Sequence, residues 1–263
     1  LKLYEQALVG IQLRAVDVLG SFDGSLHYSP LPAGSAEVDL EEDILAGYRI
    51  NDQAQVGVTV PIVETWRSDP GIPPELGGSI GDITVHARYD FILAANAKGI
   101  PGISVVGAIT APSGRTPTEA KTPLSVDATG TGYWQGALGL GLQQLFGPWV
   151  LDVGLSLWGA LPQTIGTITE ALGPQISGRL AWGYSFHSGL ALAVTLVYRG
   201  ATAAYLNHEP VPDAPGLMTA GLALGWPINY QWRLQAAASD DLPVLGRSHV
   251  AGVGATLTIL RTF

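Results

Sequence analysis

In the stretch "IGDITVHARYDF", residues 80–91, Asp82, His86, Arg88 and Asp90 fall on even positions and Ile83, Val85, Ala87, Tyr89 and Phe91 on odd ones. A period of two describes a strand with one polar and one apolar face. The same alternation recurs along the chain. In 53–63 Val56, Val58, Val60 and Ile62 share a face; in 149–157 Trp149, Leu151, Val153, Leu155 and Leu157 oppose Asp152 and Ser156. In 175–187 Ile176, Leu180, Trp182, Tyr184 and Phe186 oppose Ser177, Arg179 and His187, and 189–199 repeats the pattern up to Arg199. Tight connectors ("NDQ" 51–53, "FGPW" 146–149, "HSG" 187–189, "INY" 228–230) alternate with long polar ones at 68–79, 113–130, 161–171, 205–216 and 240–248. Strands are predicted near 38–50, 54–67, 80–93, 102–112, 131–146, 149–161, 172–187, 189–204, 216–228, 231–240 and 247–263, preceded by a long first strand within 3–28. The segment 17–37 either extends that strand upward or forms a loop of its own.

That pattern predicts one all-β domain over 1–263: a transmembrane antiparallel up-and-down β-barrel of about twelve strands. Composition agrees. The chain is 47% hydrophobic and only 13% charged, and its mean hydropathy is +0.27. Yet the longest apolar run, "LALAVTLVY" at 190–198, is far shorter than the roughly 18 to 20 residues of a spanning helix. A closed barrel is the remaining way to cross a bilayer with every backbone group paired. The expected setting is a Gram-negative-type outer membrane, with lipid and lipopolysaccharide around the barrel, short turns and both termini periplasmic, and long loops outside.

The end of the chain, "VAGVGATLTILRTF", sharpens this. Val253, Ala255, Leu257, Ile259 and Phe263 share a face interrupted by Arg261, and a closing strand that stops on Phe263 resembles the assembly signal of outer-membrane barrels. Tyr48, Phe91, Phe146, Trp149, Phe186, Trp226 and Phe263 lie near the tight turns, as an interfacial aromatic girdle requires.

Alternation also assigns charges. Arg14, Arg49, Asp82, His86, Arg88, Asp90, Asp152, Arg179, Arg199 and Arg233 fall on polar faces and are predicted to line the lumen, joined by Gln12 and Asp43. Both signs occur, which implies a wet passage or an ion-paired interior. The acidic run "EVDLEED" (37–43) reads as a solvated loop, and the net charge of −9 argues against nucleic acid. Catalysis has little support. His187 and Ser188 lie at a tight turn; Asp240, Asp241 and His249 around one outer loop are the only rim arrangement of a hydrolytic kind. His27, His86 and His208 lack ligand spacing and the chain has no cysteine, so no metal, cofactor or enzymatic role is expected.

"GDITVHARYDF", then "VVGAITAPSGRTP", then "GTGYWQGALGLGLQQLFGPWVLDVGLSLW" resemble the barrel family named for the meta-pathway of phenol degradation, over roughly residues 80–160. The shared motifs are Gly81-Asp82, Pro112-Ser113-Gly114 and Gly130-Thr131-Gly132. The resemblance implies an outer-membrane channel passing small, aromatic or otherwise hydrophobic solutes without energy input. Selection would then come from the lumen charges, and loop 113–130 could fold inward as a constriction. The alternative is a non-conducting barrel that scaffolds a partner protein of the envelope.

Overall fold

The structure is a computed structural model, describing residues 5–94, 99–165, 168–207, 209–211 and 214–263. Twelve strands form the wall. They are β1 (Ala7–Phe22), β2 (Ala36–Arg49), β3 (Ala54–Asp69), β4 (Ile83–Ile92), β5 (Gly102–Ala111) and β6 (Gln135–Phe146). The second half comprises β7 (Trp149–Ala160), β8 (Gln175–Ser185), β9 (Ala191–Ala201), β10 (Gly216–Pro227), β11 (Trp232–Arg247) and β12 (His249–Thr262). Each pairs antiparallel with its neighbours in the chain, and β12 returns to β1 from Leu8 opposite Thr262 up to Phe22 opposite His249. No edge is left in the ring.

Parity decides which side chains face out. On β6 and β7, Leu138, Leu140, Leu155 and Leu157 point away from the barrel, and Leu138 is 71% exposed. Such a band belongs in hydrocarbon, not water. Facing inward on the same strands are Ala137, Gly139, Gly141, Asp152, Gly154 and Ser156, which line a cavity. Glycine is needed at some inner positions because a neighbour fills the space: a Cβ on Gly57 would come within 2.4 Å of the His86 ring. The alternation is broken on β2 and β3, where register places Glu42 and Glu64 outward beside Ile62 and Leu40.

The two ends of the barrel differ. At the turn end, Asn51 and Asn229 each cap a hairpin with the side-chain carbonyl, accepting from Gln53 and Ala54, and from Gln231 and Trp232, at 2.8–2.9 Å. Rings gather there: Trp149 meets Tyr184 edge-to-face at 4.7 Å and Tyr184 meets Phe186 edge-to-face at 4.8 Å. Arg261, the residue that interrupts the closing strand's apolar face, lies over the rings of Phe263 and Trp232 at 4.6 and 5.6 Å. Its charge is thereby accommodated on the outer surface.

At the loop end the strands run on past the apolar band, so several segments predicted as loops are strand. Ile72–Ile80 pairs back on the upper half of β3 after a turn at Gly71, whose φ is 84°. β11 continues to Arg247 and turns at Ser248, so 240–248 is mostly hairpin. The first strand ends at Phe22, and Tyr28–Pro30 folds back on it. The segments 161–171 and 205–216 contribute a small sheet of Gln163–Ile165, Ile168–Ala171, Tyr205–Leu206 and Glu209–Pro210. Ile72–Ile80, "IPPELGGSI", carries two prolines and two glycines within its strand, which is why turn-rich composition alone read as loop.

Candidate functional site

The acidic run 37–43 is not a solvated loop. It is the upper half of β2, and Glu37, Asp39, Glu41 and Asp43 alternate onto the inner face, where each finds a donor. Glu41 pairs with Arg14 at 3.1 Å, Glu37 takes Arg67 bidentately at 2.6 and 3.0 Å, Asp43 accepts from Gln12 at 2.8 Å, and Asp39 from the Thr65 hydroxyl at 2.8 Å. Density of charge suggested solvent; register across β1, β2 and β3 supplies partners instead.

Further toward the turn end the lumen charges are paired more locally. Arg88 holds Asp90 on its own strand at 2.7 Å, and Arg179 reaches Asp152 across the β7–β8 ladder at 2.6 Å. Arg233 pairs with Glu5, which is 2% exposed, and Arg49 donates to the Glu5 and Asp52 carbonyls at 3.0 and 3.3 Å. His86 points inward over Gly57. Arg199 alone of the ten predicted residues lines the largest cavity with no carboxylate partner among the described residues.

Asp82 has a different place. It sits at the break between Ile72–Ile80 and β4, where its carboxylate accepts from the Gly114 N–H at 3.0 Å and from the Thr131 N–H and hydroxyl at 2.7 and 2.8 Å. The Ser113 hydroxyl donates to the Gly81 carbonyl at 2.7 Å. A Cβ on Gly114 would meet the Gly130 backbone at 2.7 Å. Thus the three short motifs Gly81-Asp82, Pro112-Ser113-Gly114 and Gly130-Thr131-Gly132 converge on one knot that fastens both ends of loop 113–130.

From this knot the loop enters the barrel. Val126, 1% exposed, lies against Gly77, whose inner face would leave a Cβ only 2.8 Å from it. The Leu124 carbonyl accepts from Arg67 at 2.6 Å and its N–H donates to Glu75 at 3.0 Å. Ala128 becomes part of the lining of a cavity of about 670 Å³ whose opposite wall is β9 and β10. Glu5, Glu37, Glu41, Arg67 and Glu75 were missed at the sequence level as lumen residues. The inner-face parity of 37, 41, 67 and 75 was available as a signal.

Inside the loop, Asp127 is the hub. Burial alone would raise its pKa, but the Lys121 and Thr122 N–H groups, the Thr122 hydroxyl and the Arg115 guanidinium outweigh that and hold the carboxyl well below its ordinary 3.8. A depressed native value makes this clamp complete above pH 3.8 and loses it as pH falls through the lower native value. Protection of the Lys121 and Thr122 amides relative to their intrinsic exchange rates is therefore expected to be high at pH 7 and lost at strongly acid pH. Asp127→Asn should show the low protection already at pH 7, and equal protection in both proteins would refute the clamp.

The rim residues Asp240, Asp241 and His249 do not share one face. Asp240 faces outward opposite Val253, while Asp241 faces the lumen with its carboxylate taken by the Thr219 hydroxyl at 2.6 Å and the Gly252 N–H at 3.1 Å. His249 lines the cavity with Nδ1 at 2.7 Å from the Val250 carbonyl. His208 lies outside the described residues.

A closed antiparallel ring of twelve strands, apolar outside and charged inside, is the architecture of a membrane-spanning β-barrel. No family model matches the sequence. Among solved structures, the fold is shared with an outer membrane channel from Pseudomonas putida F1 (TM-score 0.77, 14% identity, 99% of this chain and 98% of that one). It is shared more loosely with the transport unit of the autotransporter AIDA-I from Escherichia coli (0.54, 8% identity, 100% and 92%) and with the KdgM porin (0.50, 11%, 97% and 99%).

Proposed function

We propose that the chain is a passive outer-membrane channel for small, aromatic or otherwise hydrophobic solutes, its termini and short turns periplasmic, its apolar band in contact with lipid and lipopolysaccharide. The observation that carries this reading is the interior. Cavities of about 670 and 340 Å³ share Gln12, and others of about 290 and 310 Å³ share Arg88 and Val106, so the lumen is hollow at several levels. Two solved structures that share this fold, an outer membrane channel and a porin, support it. The meeting of the three glycine motifs at one knot supports membership of the meta-pathway barrel family, and Phe263, at the foot of the seam, is the proposed assembly signal. In this reading Arg14, Arg49, Asp82, His86, Arg88, Asp90, Asp152, Arg179, Arg199 and Arg233 set the lumen's charge, directly or by holding the loop.

Planar-bilayer conductance and liposome swelling with graded solutes test the channel. Current and size-dependent swelling are expected, with both altered in Arg88→Ala and Arg199→Ala. A folded barrel that passes neither ions nor solutes would sink the channel. It would favour a non-conducting scaffold for an envelope partner, a reading to which the densely paired lumen and the inward loop also lend weight.

A further inference from the structure

The two halves of the lumen carry charge differently. Toward the turn end the signs match one to one, Arg88 with Asp90, Arg179 with Asp152 and Arg233 with Glu5, and Arg49 adds a further cation. Toward the loop end they do not. There the inner wall presents the carboxylates of Glu37, Asp39, Glu41, Asp43, Glu75 and Asp241, and against them stand the guanidinium groups of Arg14, Arg67 and Arg199. Arg14 pairs with Glu41 and Arg67 with Glu37, and both lie within electrostatic reach of Asp39. That spreads the negative excess without cancelling it. The other donors to these carboxylates are neutral: Gln12 to Asp43, the Thr65 hydroxyl to Asp39, the Leu124 N–H to Glu75, and the Thr219 hydroxyl and Gly252 N–H to Asp241. Loop 113–130, which turns inward over the same cavity, sets Arg115 and Lys121 against Glu119 and Asp127 and so contributes no net charge.

A narrow passage with low-dielectric walls focuses such an excess into a field along its length. We infer that the passage favours cations over anions, so that an apolar amine enters ahead of a carboxylate of the same shape, and that the loop-end carboxylates set this preference. The inference rests on the channel reading, whose solutes it sorts by charge. Arg199 works against the preference, as a cation on the same cavity with no carboxylate partner among the described residues. Because mobile ions screen a field of this kind, the preference should shrink as salt rises.

The test is the reversal potential of the full-length barrel in planar bilayers at pH 8, where an ordinary imidazole is uncharged. It is read first in a potassium chloride gradient, then with benzylammonium in place of potassium, then with benzoate in place of chloride. At about 0.1 M salt the cation of each matched pair should be about threefold or more as permeant as the anion, and the ratio should approach one at about 1 M. Asp39→Asn combined with Asp241→Asn should lower the ratio, and Arg199→Gln should raise it; shifts of opposite sign do not follow from a damaged wall. A current that prefers chloride and benzoate, or a ratio that neither variant moves, would overturn the preference while the channel stands. A folded barrel that carries no current removes the channel, and the preference with it.

Discussion

Excising residues 115–129 and joining Gly114 to Gly130 is expected to raise single-channel conductance several-fold. The two glycines already touch at the knot held by Asp82, so the cut ends meet without moving the wall. What leaves is the segment that carries Ala128 into the largest cavity and buries Val126 against Gly77. Because the strands beside the loop keep their ladders, the trimmed barrel should still show heat-modifiable migration on a gel. Unchanged conductance in a barrel of normal stability would mean that the loop is not the constriction. Arg67→Met probes the same point more gently, since it removes the tie to the Leu124 carbonyl and the pair with Glu37 together.

The largest loss of stability is expected from Arg233→Ala. Glu5 is buried at the turn end, where it pairs with the Arg233 guanidinium and accepts from the Thr262 hydroxyl at 3.4 Å. Removing the cation breaks a buried ion pair, which typically costs about 3–5 kcal/mol. Urea unfolding in lipid vesicles would report it as a lower midpoint with an unchanged slope. A second variant, Glu5→Gln with Arg233→Met, should recover part of the loss because the buried carboxylate is removed together with its cation. If both proteins unfold alike, the pair contributes packing and not charge compensation. Arg179→Ala is a useful contrast. Its side chain is 57% exposed and its pair with Asp152 therefore contributes much less.

Alternation made the barrel readable. Ile83 to Phe91 on one face and Leu151 to Leu157 on another gave strand and wall, and the alternation of tight and long connectors gave the strand number. Parity says which face a side chain takes; it is silent on whom it meets. Asp82 shares the even face with His86, Arg88 and Asp90, yet the chain breaks just before it, and its partners are 32 and 49 residues away. The run 37–43 failed for a related reason: five carboxylates in seven positions look solvated until β1 and β3 bring Arg14 and Arg67 alongside. The inward course of loop 113–130 depends on Arg67, Glu75 and Gly77, none of which is near it in sequence.

The seam has a temporal consequence. Leu8 lies opposite Thr262, and the Gln6 N–H donates to the Phe263 carbonyl at 2.7 Å, so the contacts that close the ring span nearly the whole chain. Every other wall ladder joins strands that follow one another and can form as soon as a hairpin exists. The last ladder waits for the final strand, and until then β1 and whichever strand is newest both present open edges to any chain nearby. Ring closure, the pairing with the greatest sequence separation, is therefore expected to be slower and more exposed to aggregation than hairpin formation.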